Sequence, residues 1–138
     1  MGMGPAHLGR VASGRGFASE RMALPQVQQG LQALGGGIAM VPGTLNLLLD
    51  LPFAGVLPFY VTEADLGGVI WSDHVPGRKG LSIGRALIAE RYRGLVLRGD
   101  EPAYPATQVE IACEVRLRDT LGLADGARLD FRLVDSFR

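Results

Sequence analysis

Glycine and proline punctuate this chain from end to end. The twenty glycines and eight prolines are scattered rather than periodic, which is the spacing of a β-rich domain with many turns. Between the breaks lie short alternating runs. Residues 8–12 read as a first strand that stops at Ser13, Gly14, Arg15 and Gly16. Residues 45–51 form a leucine-rich strand, with Leu45, Leu47, Leu49 and Leu51 on one face and Asn46, Leu48 and Asp50 on the other. Residues 56–62 read as a short edge strand marked by Pro58. Residues 82–90 and 93–98 read as paired strands around Arg91 and Tyr92, although the first of them also fits a helical turn. In residues 109–115, Val109, Ile111, Cys113 and Val115 share one face and Glu110, Ala112 and Glu114 the other. The last strand, residues 128–134, follows an Asp125-Gly126 turn and points Leu129, Phe131 and Leu133 inward. Helical spacing occurs at Leu24, Val27, Leu31 and Leu34, with Pro25 in the first turn and Gly35, Gly36 and Gly37 as the stop. A second, brief helix spans residues 117–121, and residues 67–80 carry no readable period. Strand–helix alternation of the doubly wound kind is absent. These elements predict a mainly β protein, a small barrel closed by one or two short helices. Residues 1–8 are expected to be a flexible N-terminus and residues 9–138 one domain.

Composition narrows the function classes. Apolar residues make up 47% of the 138, enough for a core, and 14 basic residues face 14 acidic ones. Zero formal charge argues against bulk electrostatic binding of nucleic acid and against a polybasic membrane anchor. One cysteine, Cys113, permits no intramolecular disulfide and no cysteine zinc cluster, and it sits in an apolar run as a structural thiol would. His7 and His74 form no metal-binding pair. Neither a signal-peptide pattern nor a bilayer-long apolar stretch is present, so a soluble cytoplasmic protein is expected, with neither nucleic acid nor membrane as partner.

Four groups of residues can carry chemistry. Gly14, Arg15, Gly16, Phe17, Ala18 and Ser19 follow a strand, and a glycine loop lets backbone N–H groups approach a phosphate while Arg15 adds charge. The loop is neither a Walker A motif nor a dinucleotide fingerprint, and alone it fits a plain turn. Pro42, Gly43, Thr44, Leu45 and Asn46 open the leucine-rich strand. Thr44 and Asn46 share a strand face and offer hard oxygens of the kind Mg²⁺ takes alongside water and phosphate, or else they simply bond the turn. Glu110 is a carboxylate on the polar face of an apolar strand, suited to accept bonds from a polyol or to act as a base, or only to meet solvent. Arg116 and Arg118 flank Leu117 at the start of the second helix, where they either border an anion or pair with Asp119.

Taken together, these blocks resemble the archaeal CTP-dependent riboflavin kinases. The resemblance lies in residues 9–16, in Pro42-Gly43-Thr44-Leu45-Asn46-Leu47-Leu48-Leu49-Asp50, and in residues 109–126, in the family's order and approximate spacing. It implies a six-stranded cradle-loop barrel. It implies that Gly14, Arg15, Gly16, Phe17, Ala18 and Ser19, with Val115, Arg116, Leu117 and Arg118, hold a cytidine nucleotide. Thr44 and Asn46 would bind Mg²⁺, and Glu110 would contact the flavin's polar chain. The reaction implied transfers the γ-phosphoryl of CTP to a small-molecule alcohol, riboflavin first among them, giving FMN and CDP. Glu110 and Asp50 are the candidates for a catalytic base. The chain departs from the family pattern at Glu101 and Pro102, where a threonine that contacts the flavin product is usual, and at Phe17-Ala18. Proline offers neither hydroxyl nor N–H, so a kinase for another alcohol is the variant reading. Residues 115–129 also resemble the swapped-hairpin barrels of AbrB-type DNA-binding regulators, and a non-catalytic ligand-binding barrel is a third reading.

Overall fold

The computed structural model describes residues 3–13, 22–66 and 75–137. The described elements are β1 (Met3–Ala12), α1 (Pro25–Leu34), β2 (Leu45–Leu49), β3 (Phe59–Thr62), a 3₁₀ turn (Ala64–Leu66), β4 (Gly80–Ile88), β5 (Tyr92–Gly99), β6 (Gln108–Cys113), α2 (Leu117–Leu121) and β7 (Arg128–Val134). The sheet runs β3-β4-β5-β6-β2-β1-β7, and a further β4–β7 pairing closes the last six of these strands into an antiparallel barrel. Residues 86–88 of β4 pair with β7, while the first half of the same edge pairs with β3. The expected six-stranded, mainly β barrel with two short helices is what forms.

Two apolar layers hold it together. Alternate residues of β2, β6 and β7, among them Leu47, Val109, Ile111 and Phe131, fill the barrel interior. α1 covers the outside, where Val27 and Leu31 pack in one cluster with Ile83, Leu95, Leu97 and Ala112. β5 is therefore buried on both faces, with Val96 turned to the interior and its neighbours Leu95 and Leu97 to the helix side. Each fully buried aliphatic side chain contributes about 1.5–3 kcal/mol, so this double burial anchors the wall that carries β6.

Several boundaries differ from expectation, each for a local reason. β1 begins at Met3, because the segment expected to be flexible pairs with β7 through contacts such as His7↔Phe131. β2 stops at Leu49 and Leu51 is 75% exposed, since Pro52 has no N–H to continue a ladder. β3 starts only after Pro58. Residues 82–88 are strand and not helix, and the β4–β5 hairpin turns through Ala89 and Glu90, both at positive φ (53° and 57°), so Tyr92 already belongs to β5. Residues 67–74, unreadable by pattern, lie outside the described residues.

Candidate functional site

The Pro42-Gly43 turn places the start of β2 beside β6. Gly43 has φ 114°, a conformation that a side chain would strain, and its N–H meets the Met22 sulfur at 3.2 Å. Asn46 stands directly opposite Glu110 in the β2–β6 ladder and opposite Ala12 in the β1–β2 ladder. Thr44, diagonal to Glu110 on the same face, donates its hydroxyl proton to Glu110 Oε1 at 3.1 Å. Tyr104, from the turn before β6, donates to Glu110 Oε2 at 3.1 Å. Burial, the Glu110 charge and this hydrogen bond push the Tyr104 phenol well above its ordinary value, so it stays a donor at any working pH. Its ring lies 4.9 Å from the Arg98 guanidinium and 5.9 Å from that of Arg78.

A cleft of about 260 Å³ opens next to this cluster. Pro42, Gly43 and Thr44 form one wall, Val115, Arg116, Leu117 and Arg118 the other, and Cys113 lies between. Arg118 donates to Asp125 Oδ1 at 2.8 Å and to the Ala12 carbonyl at 3.5 Å, while the Ser13 hydroxyl donates to Asp125 Oδ2. The hydrogen bond from Ser13 and then that from Arg118 hold the Asp125 carboxyl below its usual range. Arg116 pairs with Asp119 at 3.6 Å on the surface. Gly14, Arg15, Gly16, Phe17, Ala18 and Ser19 lie outside the described residues; before them Ser13 bonds Asp125, and after them Met22 accepts from the N–H of Gly43, a cleft residue. A larger cavity, about 380 Å³, lies elsewhere, between Met3, Phe59, Arg85 and Leu133. Its arginine is committed to the Leu34 carbonyl at 2.6 Å and the Asp135 carbonyl at 3.1 Å.

Thr44 lines the cleft with the segment from Val115 to Arg118, and Glu110, with its ladder partner Asn46, reaches that wall through Thr44 without lining it. Asp50 does not join them. It lies four residues beyond Asn46, about 13 Å along an extended chain, and Arg128 grips both its oxygens at 2.9 and 2.6 Å. Glu101 does not confront the site with a bare charge either, because Arg78 binds it through two nitrogens at 2.9 Å and leaves it 8% exposed. Tyr104, Arg78, Arg98 and Met22 belong to no motif in the sequence, Tyr104 standing six residues before Glu110, and Asp125 is marked there only as part of a turn.

The donor chemistry fits Mg²⁺. Once Thr44 gives its only proton to Glu110, its oxygen lone pairs are what it offers, and among the described residues no hydrogen bond engages the Asn46 side chain. The Thr44 hydroxyl and the Asn46 side-chain carbonyl are neutral oxygens of the kind accepted by an ion that keeps water and phosphate oxygens.

Comparison with known proteins shows what the chain is similar to. Residues 11–133 match the family model named CTP-dep_RFKase, described as a domain of unknown function, DUF120. The riboflavin kinase of Pyrobaculum arsenaticum is 32% identical over 125 residues, covering 86% of this chain and 56% of that protein. The riboflavin kinase of Pyrobaculum islandicum is 31% identical over 132 residues, covering 91% and 58%. The chain therefore spans little more than half the length of these relatives. With nearly all of its barrel inside the matched segment, the chain belongs to the CTP-dependent riboflavin kinase family.

Proposed function

We propose that this barrel is a phosphotransferase of the cytoplasm that moves the γ-phosphoryl of CTP to the terminal hydroxyl of riboflavin, releasing FMN and CDP. The observation that carries this reading is one cleft walled by Pro42, Gly43 and Thr44 on one side and by Val115, Arg116, Leu117 and Arg118 on the other, with Thr44 also bonded to Glu110. In the reaction the acceptor oxygen bonds to the γ-phosphorus, the bond from that phosphorus to the β-bridging oxygen breaks, and the hydroxyl proton leaves. Such transfers need alignment and charge neutralisation more than a covalent partner. Gly14, Arg15, Gly16, Phe17, Ala18 and Ser19 wrap the nucleotide together with Val115 to Arg118. Thr44 Oγ1 and the Asn46 side-chain carbonyl hold Mg²⁺. The ion, when bound, neutralises phosphate charge. Glu110 accepts hydrogen bonds from the acceptor's hydroxyls and takes the departing proton. Asp50, tied to Arg128 at the far end of β2, drops out of that role. Balanced charge supports small molecules, rather than nucleic acid or membrane, as partners.

Pro102, which offers neither a hydroxyl nor an N–H, favours a second reading, with the same nucleotide and another alcohol as acceptor. Both are tested by a thermal-shift screen of the four nucleoside triphosphates with and without Mg²⁺, followed by phosphate transfer from labelled CTP to riboflavin and to other small alcohols. FMN formation with CTP is the expected result. Transfer to another alcohol alone would favour the second reading, and stabilisation by ATP but not CTP would overturn both.

A further inference from the structure

Each oxygen of the Glu110 carboxylate accepts one side-chain hydrogen bond, Oε1 from Thr44 and Oε2 from Tyr104, both at 3.1 Å. Donors on opposite oxygens fix the plane of a carboxylate that would otherwise rotate. They leave lone pairs free to accept bonds from an incoming polyol. The two donors differ in what else they do. Thr44 has a single proton, and spending it on Glu110 decides which way its lone pairs face. Tyr104 cannot exchange roles with Glu110, since its phenol is held protonated by burial and by the carboxylate itself. Its ring is gripped by two cations that are themselves anchored. Arg98 donates to the Gln108 and Ala106 carbonyls at 2.6 and 3.3 Å, and Arg78 is locked to Glu101. The ring contacts would survive as phenylalanine, so the hydroxyl itself is left with one evident partner, Glu110.

We propose that Tyr104 is a positioning residue whose hydroxyl orients Glu110 and, through Glu110, turns the Thr44 proton away from the metal side so that its oxygen is presented to the Mg²⁺–nucleotide. The inference rests on the metal and nucleotide reading above. It links the edge where the acceptor would bind to the metal position through three hydrogen-bonded side chains. Outer partners of this kind typically change metal affinity 10- to 100-fold when removed.

The test is CTP binding by calorimetry at a series of Mg²⁺ concentrations, with no acceptor present, for the wild-type chain, Tyr104→Phe and Glu110→Gln. Tyr104→Phe should need about tenfold more Mg²⁺ for half-maximal CTP binding, with metal-free CTP binding unchanged. Glu110→Gln should shift the requirement in the same direction, because whichever way its amide turns, either Thr44 or Tyr104 faces an NH₂ in place of an acceptor oxygen. It also keeps the test decisive should Tyr104→Phe fold poorly, which a melting curve reveals. If the wild-type chain binds CTP with no dependence on Mg²⁺, the metal reading falls and takes the proposal with it. If the wild type depends on Mg²⁺ and both variants show its dependence unchanged, the proposal alone is wrong.

Discussion

Thr44, Asn46 and Glu110 occupy one face of two adjacent strands, and that placement gives each a distinct task. Asn46 and Glu110 are cross-strand partners, and Thr44 reaches the same carboxylate diagonally. Thr44→Ala and Asn46→Ala should each lower Mg²⁺-dependent use of the nucleotide by at least about tenfold, while the melting temperature stays within a few degrees of wild type. Titrating Mg²⁺ against phosphate transfer checks this, and full activity in both variants would remove the metal assignment. Which residues share a face was legible in the sequence, because strand side chains alternate with a period of two. The contribution of Tyr104 was not, because its contact with Glu110 depends on the path of an irregular turn between residues 99 and 108.

At the scale of elements, the β4–β5 hairpin carries local strain. Ala89 and Glu90 both adopt left-handed φ, which costs a side-chain-bearing residue about 1–2 kcal/mol. Asparagine and glycine are the residues that such turns favour. Glu90→Gly should raise stability by about 0.5–1 kcal/mol, read as an upward shift in the denaturation midpoint. Its exposed pair with Arg132, at 3.3 Å, offsets little of that gain. An unchanged or lower midpoint would show that the turn is relaxed. Residues 82–90 fit a helical turn as well as a strand because the apolar residues of β4 serve both faces, Ile83 on the α1 side and Ala86 and Ile88 in the barrel interior.

The whole molecule is closed by pairings between distant parts of the chain, β1 with β7 and β4 with β7, and ion pairs add links elsewhere. Arg128 joins Asp50, Arg93 joins Glu114, and Arg118 joins Asp125. Hydrogen bonds from these arginines, and from Ser13 to Asp125, hold all three carboxyls below their usual pKa. A carboxyl with a depressed folded value binds its proton more readily in the unfolded chain. Its stabilisation is complete above the ordinary carboxylate value of about 4 and is lost as the pH falls through the lower, folded value. Melting temperature should therefore be level near neutrality and decline below about pH 4, and a flat profile down to pH 2 would contradict these pairings. Most strands, both helices and the Pro42–Asn46 block were determined by the sequence by itself, because alternation, helical spacing and the backbone limits of glycine and proline act between near neighbours. Only the tertiary structure decided which strands meet, that Asp50 belongs to Arg128, 78 residues away, and that Tyr104 and Thr44 share Glu110. Those pairings depend on register and closure, and no local pattern in a chain encodes the partner that folding brings from far along it.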